Sequence, residues 1–525
     1  MGYKEDYDIA KTFFESTFKD DFDKRRLMYI GDHWDTLLVG DNVSADATKV
    51  EINYIKPNVN YLLAMLSMEN PTVTVKPEGI SDTPIAMGIS SLIARIYNKR
   101  KVNRVSQFSL KDMVIYSKGY LGVRWNPELD NGDGDLEPYF ASPFNVYMEP
   151  AAYSLKDAYY VHVKWLKSKE YVYNKYHKKV PENGQDALNP SKKGVEVIES
   201  WYRPCTEYPK GRHIIWIERE DGVLVDEEPP YHNVQIPLVE FSFDEISTGD
   251  VSSIVEDMWG NQKVFMKTLG YIIDNLRFTN NQHYVTDWQD APEKLDTAPN
   301  TIIKINPGDQ FVTLPVGVIS PAWFNLLTTS VATFPDISGV REVNVGTTSG
   351  GITAASAIVA LQEATKTRRD DIKDKIIAPK MSRFGKYIVA IMQQFYPADK
   401  ITKILEKSMS IDDPKILNYD IEFQYSQALP TDKASRLNIA MQLTQLQLID
   451  GEAFAELFDD PVLKKLIIDT SKRMMAKSLT QPNQEGSEQG ENPVAQPQQP
   501  QQPQPQQPQP QQPQPQGIIR GKGGK

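Results

Sequence analysis

Apolar residues recur at helical spacing in the first hundred positions of the chain. Between residues 8 and 34 they follow one another at steps of three to five, which predicts a charged helix with one packing face. Residues 58–68 and 82–101 show a similar period, and each predicts a further helix. Alternation over residues 72–76 predicts a short strand between these two helices.

From Gly119 to Trp216 the pattern changes to short β-branched and aromatic runs, which are typical of strands. These runs occupy residues 120–125, 138–140, 159–165, 195–198 and 213–217. Turn residues at 131–134 and 221–222 predict hairpins between strands. Helices combined with these strands indicate an α+β fold.

The acidic stretch from Asp130 to Asp135 invites interpretation as a calcium loop. Its glycines, however, stand where an EF-hand needs ligands, and no glutamate falls at the twelfth position. The stretch therefore favours the tip of a hairpin.

A helix, an insert and a returning helix are predicted next. The apolar period over residues 252–282 predicts one helix of roughly 45 Å. A Pro- and Asp-rich insert with two strand-like runs, 301–305 and 310–314, follows it. Pro321 then opens the returning helix, which we expect to be interrupted at Pro335.

The last folded part is predicted to be largely helical. A Gly-rich linker leads into a long helical pattern over residues 353–396, which Pro379 should kink. A strand over 419–425 and a broken helical stretch over 433–475 complete this part. From about residue 481 to 516 the chain is almost entirely Gln and Pro, which cannot form a packed core and predicts an extended or disordered tail. The short basic end after it is interpreted as a solvated tail rather than a contact to DNA or a partner.

Composition narrows the class of protein. The chain has 525 residues and 58 Lys and Arg against 69 Asp and Glu, so its net charge is −11. This balance argues against coating nucleic acid by electrostatic attraction. The single Cys205 points to a reducing cytoplasm and argues against a cysteine-based zinc site. Without a long apolar span or a secretory start, we expect a soluble protein with no membrane association that stays where it is made.

No catalytic signature is evident in the sequence. The phosphate loop of ATPases, the dinucleotide-binding glycine motif, the zinc-protease motif and the hydrolase serine motif are all missing, and the six histidines do not fall at ligand spacing. We therefore predict no catalytic residues, no metal, no cofactor and no enzymatic activity. The small residues from Gly346 to Gly351 resemble a phosphate cradle but lack its lysine, which favours a hinge or a channel-facing loop.

The order of these segments resembles that of the portal (head-to-tail connector) proteins of tailed bacteriophages. The likeness rests on the Gly-rich loop and helix at 347–365, a charged run after it, and the apolar stretch at 384–396. Residues 53–61 with 70–77, and residues 236–241 leading into 252–275, are also similar. The likeness covers most of the chain from Asn53 to Tyr425.

The resemblance implies a ring, usually of twelve subunits, at one vertex of the capsid. Through it the terminase large subunit would package double-stranded DNA, and a head-completion or tail adaptor protein would later attach. Major capsid protein and scaffold would be further partners, and the ring would be assembled in the host bacterial cytoplasm and remain in the virion for genome ejection.

The resemblance also implies a division of the chain into wing, stem, clip, tunnel loop and crown. The expected regions are the wing (1–250), a stem helix (251–283), the clip (284–320), a second stem helix (321–343), the tunnel loop (344–351), a long kinked helix with a wing strand (352–429), the helical crown (430–479) and the Gln/Pro-rich tail (480–525). The tail is not a general feature of the family.

Three groups of residues are the expected functional positions. The tunnel loop would present Asn344, Val345, Gly346, Thr347, Thr348, Ser349, Gly350 and Gly351 to the channel. On the stem, Lys263, Lys267 and Arg277 are candidates for weak phosphate guides that face the channel, with salt bridges or positions on the outer surface as the alternatives. In the clip, the candidate partner contacts are Trp288, Lys294, Lys304 and Phe311.

Two other classes of function compete with the channel. A nucleic-acid enzyme or motor subunit would need a nucleotide site or a cluster of metal-binding carboxylates. A capsid-associated interaction or scaffold protein, suggested by the Gln/Pro tail, would be a monomer or small oligomer without a central hole.

Overall fold

The computed structural model describes residues 2–38, 48–67, 71–77, 79, 82–185, 191–219, 222–243, 252–280, 284–286, 308, 310–313, 319–339, 370–405, 416, 419–424 and 441–442. The chain divides into two compact units, Met1–Ala428 and Leu429–Lys525. All elements below belong to the first unit. The predicted helical crown, apart from residues 441–442, and the Gln/Pro tail lie outside the described residues.

Two helices stand where the pattern predicted one. Helix α1 (Tyr3–Thr17) and helix α2 (Lys19–Ile30) meet at Phe18, and Gly31 ends α2 in a left-handed conformation with φ 99°. The predicted single helix over 8–34 is therefore wrong, and a π-helical turn (His33–Leu37) occupies its last part. The predicted face does pack, because Phe14 and Phe22 are buried in the core of the same chain.

The next predicted elements are confirmed, and one helix was missed. Helix α3 (Ile55–Ser67), strand β1 (Thr72–Lys76) and helix α4 (Thr83–Lys99) fall within a few residues of the predicted segments. Helix α5 (Val102–Tyr116) follows after Lys101, which adopts a left-handed conformation with φ 51°. This single residue separates two helices that one apolar pattern does not distinguish.

We call the first unit without residues 252–339 the body. A small antiparallel sheet forms its centre. Its middle strand is β2 (Lys118–Asn126), which pairs with β3 (Asp135–Ala141) on one side and with β10 (Leu238–Ser242) on the other. Helix α5 lies so close to β2 that a Cβ at Gly119 would stand 1.9 Å from the carbonyl oxygen of Ser109. Glycine at this position therefore allows the helix to pack on the sheet.

A second antiparallel sheet accounts for the other predicted strands. Its order is β4-β5-β7-β8-β9, with β6 paired to β7. The strands are β4 (Val146–Met148), β5 (Tyr160–Lys167), β6 (Gly184–Gln185), β7 (Lys193–Tyr202), β8 (Arg212–Ile217) and β9 (Val223–Glu227). Helix α6 (Lys169–Tyr176) follows β5, and the Ser168 hydroxyl caps it by accepting a hydrogen bond from the Tyr171 N–H.

The two predicted helices and part of the insert between them are present, while the predicted strand over 301–305 lies outside the described residues. Helix α7 (Ile254–Asn280) is followed by strands β11 (Tyr284–Thr286) and β12 (Phe311–Thr313), which pair antiparallel, and then by helix α8 (Pro321–Ser338). The expected interruption at Pro335 is wrong, because α8 continues to Ser338. Proline removes only one helical hydrogen bond this close to the end, and Phe334 and Ser338 on either side of it are both buried.

The described C-terminal part begins within the predicted long helix over 353–396, of which residues 353–369 lie outside the described residues. A π-helical turn (Lys373–Ile377) leads into helix α9 (Ala378–Phe395), helix α10 (Ala398–Leu405) and strand β13 (Asp420–Gln424). The π-turn stands directly before Pro379, where the sequence predicts a kink, and π-turns and prolines are both known causes of kinks. Strand β13 pairs antiparallel with β1, so Phe423 lies opposite Val73.

The acidic stretch at 130–135 is the tip of the β2–β3 hairpin, as predicted. Asp130 accepts hydrogen bonds from Lys99 at 2.6 Å and from Arg100 at 2.7 Å. Asp135 is bound by Arg100 and by the Tyr396 hydroxyl. Burial would raise the pKa of Asp135, but these hydrogen bonds outweigh burial and hold that pKa well below its usual range. The stretch thus joins the end of α4 through ion pairs and the end of α9 through the Tyr396 hydrogen bond.

No helix in the described ranges combines the length and the apolar composition that crossing a membrane requires. The described residues likewise contain no group of three or more His, Cys, Asp or Glu side chains placed to hold a metal ion.

Candidate functional site: the α7 and α8 hairpin

Helices α7 and α8 form an antiparallel hairpin. Near one end, the Asn261 side-chain amide donates a hydrogen bond to the carbonyl oxygen of Ser330 at 2.6 Å. Near the other end, the Tyr271 and Trp323 rings meet edge to face with centroids 6.0 Å apart. Residue numbers therefore rise along one helix as they fall along the other. We call the end that contains Asn261 and Ser330 the root, and the end that contains Tyr271 and Trp323 the far end.

Arg25 of α2 fixes the start of α7 in the body. Its guanidinium binds the Glu256 carboxylate at 2.7 Å and donates to the carbonyl oxygen of Tyr116 at 2.9 Å. The Ser117 hydroxyl also donates to the carbonyl oxygen of Ser252 at 2.6 Å. A carboxylate in the first turn of a helix is favourable, and here it holds a cation that the body has already buried.

Aromatic packing fixes the root of the hairpin laterally. The Tyr54 ring lies between Phe265 of α7 at 4.9 Å and Phe334 of α8 at 5.2 Å, measured between centroids. Phe265 also packs with Trp34 and Met266 in a small buried cluster. The root therefore has the buried contacts expected of a folded core.

A segment that we call the strap, residues 48–54, runs along α7. At one end of the strap, the Gln262 side chain accepts from the Tyr54 N–H at 3.0 Å and donates to the carbonyl oxygen of Ile52 at 2.6 Å. At its other end, the Asp274 carboxylate accepts from the Thr48 hydroxyl at 2.5 Å and from the Thr48 N–H at 3.0 Å. The strap thus covers one side of α7 over three helical turns.

The strap also explains a glycine in the middle of α7. A Cβ at Gly270 would stand 2.8 Å from the carbonyl oxygen of Thr48, which is closer than real Cβ atoms come to backbone oxygen. Glycine in a helix interior is unfavourable by about 1 kcal/mol relative to alanine. Its presence here is accounted for by the close approach of the strap.

The side of α7 that the strap does not cover carries exposed apolar residues. Val264, Tyr271 and Phe278 are 42 %, 44 % and 52 % exposed. They follow one another at seven-residue steps, so they lie on one face of the helix, which we call the stripe. One turn before the stripe, Gly260 has open space around its Cβ position. An apolar heptad face with a small residue beside it suits the approach of another helix.

Helix α8 extends this apolar surface at the far end. Trp323, Phe324 and Leu326 are 38 %, 50 % and 44 % exposed, and Trp323 touches Tyr271 of the stripe. The helix contains a single charged residue, Asp336, near its C-terminal end. A solvent-exposed helix face ordinarily carries charged residues, so a partner surface is expected here.

The predicted stem cations lie on the same helix as the stripe. Lys263 and Lys267 are one turn apart and half-buried, and Arg277 is exposed. Arg277 pairs with Asp274 at 3.6 Å and donates to the Thr48 hydroxyl at 3.2 Å. For Arg277 the structure therefore favours the salt-bridge alternative, and this cation contributes to holding the strap.

Most of the other predicted positions lie outside the described residues. These are the tunnel loop from Asn344 to Gly351 and the clip residues Trp288, Lys294 and Lys304. Phe311 is the first residue of β12, opposite Thr286 of β11.

The stripe is the feature of the hairpin that sequence reasoning missed. The apolar period over residues 252–282 predicted the helix but not that Tyr271 and Phe278 would be 44 % and 52 % exposed. The seven-residue spacing of the stripe was the available signal. Periodicity alone does not distinguish a face that packs on the same chain from one that packs on another molecule.

Two family models match the chain. The model described as Phage SU10 portal protein matches residues 168–518, which is more than half of the chain. The model described as Phage P22-like portal protein matches residues 4–212. No curated protein matches the chain.

Proposed function

The chain belongs to the phage portal proteins, and on that premise we propose that copies of it close into a ring around a channel for double-stranded DNA. The exposed apolar end of the α7 and α8 hairpin carries this proposal. A single chain leaves the stripe and the start of α8 in water, although both are apolar and nearly uncharged.

In a closed ring, a neighbouring subunit covers this exposed apolar surface in every copy of the chain. If the stripe of one copy packs on a different surface of the next, the contact is head-to-tail, and such contacts end either in a closed ring or in an open filament. Closure covers every stripe at once. Twelve copies are the number that the family resemblance suggests.

In this proposal the regions keep the divisions expected from the sequence. The body over residues 1–250 and 352–429 is the wing, helices α7 and α8 lie within the stem, and residues 284–320 form the clip. The tunnel loop is 344–351, the crown 430–479 and the tail 480–525. The root contacts through Arg25 and Tyr54 would then hold each stem hairpin to its own wing.

Charge supports passage of DNA rather than tight binding. Each phosphate contact made by a lysine or arginine strengthens binding in a salt-dependent way. The chain is acidic overall, Arg277 is engaged by Asp274 and the strap, and α8 contains no lysine or arginine. The sequence from residue 343 to 365, which includes the tunnel loop, also lacks them. A channel lined in this way would let DNA slide.

As a portal protein the chain is a structural component of the virion that serves genome packaging and joins head to tail. The partners that we propose are the terminase large subunit and a head-completion or tail adaptor protein at the clip, and the major capsid protein and scaffold around the wing. In this role the ring does no chemistry of its own, and the packaging motor is a separate protein.

Electron microscopy and sedimentation velocity of the full chain test the ring. We expect rings with an axial hole for the unaltered protein. Replacing Tyr271 and Phe278 by serine should raise the protein concentration needed for assembly roughly tenfold or more, since burying each side chain contributes about 1.5–3 kcal/mol. The control is Tyr153→Ser with Tyr159→Ser, two wing tyrosines that are 64 % and 57 % exposed.

Two outcomes would count against the proposal. If the unaltered chain stays monomeric at every concentration, or forms only small oligomers without a hole, the interaction or scaffold alternative gains. If the stem variant assembles at the same concentration as the wing control, the stripe is not the contact.

A further inference from the structure

A cleft in the body, remote in sequence from the hairpin, has a composition that the channel does not explain. It lies between the β2–β3 hairpin and the corner where β5 turns into α6. Two adjoining cavities of about 440 Å³ and 140 Å³ share Arg124, Trp125, Tyr171 and Lys175 in their walls. The cleft is open to solvent and lies within one chain.

The floor of the cleft is built from paired polar groups. The largely buried Glu199 carboxylate accepts hydrogen bonds from the Trp165 indole N–H at 3.0 Å and from His213 Nε2 at 3.3 Å. His213 also pairs with Glu227 at 3.2 Å. In the wall, Arg124 donates to the Glu137 carboxylate at 2.8 Å. These contacts hold the side chains in place and leave each of them with a partner.

Two lysines place positive charge at the opening of the cleft. The Lys167 and Lys175 ammonium groups both lie over the Tyr171 ring, 5.0 Å and 5.6 Å from its centroid. Among the ion pairs of the described residues, neither lysine has a carboxylate partner. Glu128 and Glu137 also line the larger cavity, and Glu137 is the carboxylate that Arg124 binds. Burial, and then repulsion from Arg124 and Lys175, lower the pKa of Lys167. An anion between the two ammonium groups would relieve this repulsion.

The walls of the cleft are flat, aromatic and held in place. Tyr139 and Trp165 meet edge to face at 5.6 Å, and Trp125 stacks on Phe395 at 4.9 Å. The Tyr231 hydroxyl accepts a hydrogen bond from the backbone N–H of Trp125 at 2.9 Å. Side chains fixed in this way form a cavity before any ligand arrives, which is typical of binding sites for small molecules.

We propose that this cleft binds a nucleotide, with Lys167 and Lys175 on its phosphate and the aromatic walls against its base. Two lysine charges suit a phosphate monoester, which carries close to two negative charges and three acceptor oxygens at neutral pH. Aromatic side chains stack on bases with little regard to sequence, and each such contact is worth about 1–3 kcal/mol. A free nucleotide and the 5′-phosphorylated end of a DNA strand offer the same chemistry.

Isothermal titration of the full chain tests the site. The probes are deoxyadenosine 5′-monophosphate, inorganic phosphate, deoxyadenosine and a short 5′-phosphorylated single strand. The test variant carries Lys167→Gln and Lys175→Gln. The matched control is Lys179→Gln, because Lys179 lies over the Tyr173 ring at 5.9 Å just beyond the same helix but outside the cleft.

We expect saturable binding of the monophosphate that weakens at least tenfold in the double variant and is unchanged in the control. Deoxyadenosine and inorganic phosphate should each bind at least tenfold more weakly than the monophosphate, since each lacks half of the contacts. Tighter binding of the phosphorylated strand would identify a DNA end as the source, and equal binding would identify the free nucleotide.

Three results would overturn the proposal. They are no saturable binding of the monophosphate at millimolar concentration, equal loss in the control variant, and equal affinity for inorganic phosphate. Urea unfolding of the double variant shows whether its fold is intact. If that variant is unfolded, Lys175→Gln alone replaces it, since Lys175 is exposed and its loss leaves the interior untouched.

Discussion

Helix α8 contains two phenylalanines ten residues apart with opposite environments. Phe334, at the root of the hairpin, is 1 % exposed and stacks on Tyr54. Phe324, at the far end, is 50 % exposed. The same contrast holds along α7, where Phe265 is buried and Phe278 is exposed. The root of the hairpin is thus buried by contacts within its own chain, whereas the far end of the same hairpin stays exposed.

The difference teaches which interactions belong to folding and which to assembly. At the root, Arg25, Tyr54 and the strap provide the partners of the hairpin within one chain. At the far end, the exposed residues are of the same apolar kind, yet Tyr271, Phe278 and Phe324 remain 44 %, 52 % and 50 % exposed. Substitutions at the root should therefore act on the stability of the subunit, and those at the far end on contacts between subunits.

Alanine at the two phenylalanines gives the largest expected contrast. Phe334→Ala should lower the free energy of unfolding by about 3–5 kcal/mol, because it removes a buried ring and leaves a cavity. Phe324→Ala should change it by less than about 1 kcal/mol, as surface substitutions usually do. Urea unfolding of the unassembled chain measures both. Equal losses for the two variants would show that root and far end are not distinct.

The next largest expected effect is a loss of stability in acid that arises in the body and not in the hairpin. His162 of β5 is fully buried, and burial lowers its pKa to about 3. A histidine whose pKa is lower in the folded state stabilises the fold less as pH falls below its unfolded value of about 6.5. Between pH 6.5 and pH 4.5 this group alone should remove about 2–3 kcal/mol of stability. Urea unfolding at several pH values, followed by tryptophan fluorescence, measures the loss.

Asp112 opposes this loss. Burial raises its pKa to about 7, and a carboxyl with a raised pKa adds stability as pH falls towards its ordinary value of 3.8. Burial would lower the pKa of His213, but hydrogen bonds with Glu199 and Glu227 outweigh burial and raise it, so the stability it adds is fully present below about pH 6.5. The lowered pKa of Asp135 makes its contribution fall only below about pH 4.

His162→Gln should therefore make the chain more stable at pH 4.5, relative to pH 6.5, than the unaltered chain is, and His232→Gln, at an exposed histidine, should not. If both variants keep the pH profile of the unaltered chain, His162 does not contribute to it.

Strong periodicity made some elements predictable from the sequence. Helices α3, α4 and α7 carry one dominant apolar face, and their predicted ranges differ from the observed ones by a few residues. Helix α5 was missed because buried residues surround much of its last two turns, so it shows no single stripe. Strands β1 and β13 were both predicted, but their pairing joins segments far apart in sequence and no local pattern encodes it.

The candidate sites were less predictable because they depend on contacts between residues that are far apart in sequence. The cations at Lys263, Lys267 and Arg277 are visible in the sequence, but the bond from Arg277 to Thr48 of the strap is not. The cleft collects residues from strands and a helix spread over residues 124–231, none of which forms a motif along the chain. Burial and exposure are likewise properties of the folded chain, which is why the stripe escaped prediction.

The strap offers the finest test of the boundary between the two ends. Thr48 is bound only through Asp274 and Arg277 of α7 among the contacts described here, and Asp274 lies one turn beyond Gly270, where the buried root gives way to the exposed far end. Thr48→Ala removes the hydroxyl but keeps the N–H contact, so the free energy of unfolding should fall by about 1 kcal/mol. Thr279→Ala is the control, since the bonds of the Thr279 hydroxyl to other described residues stay within its own helix, at Asn275.

Amide hydrogen exchange along α7 should also respond to the same substitution. If the strap sets how far the root extends along α7, then Thr48→Ala should also increase amide hydrogen exchange in the turn around Asp274, while exchange near Gln262 stays slow. Equal exchange in Thr48→Ala and Thr279→Ala would mean that the strap merely lies on α7. In that case the boundary between folding and assembly would be set by the aromatic contacts of Tyr54 alone, and the far end would begin closer to the body than the strap suggests.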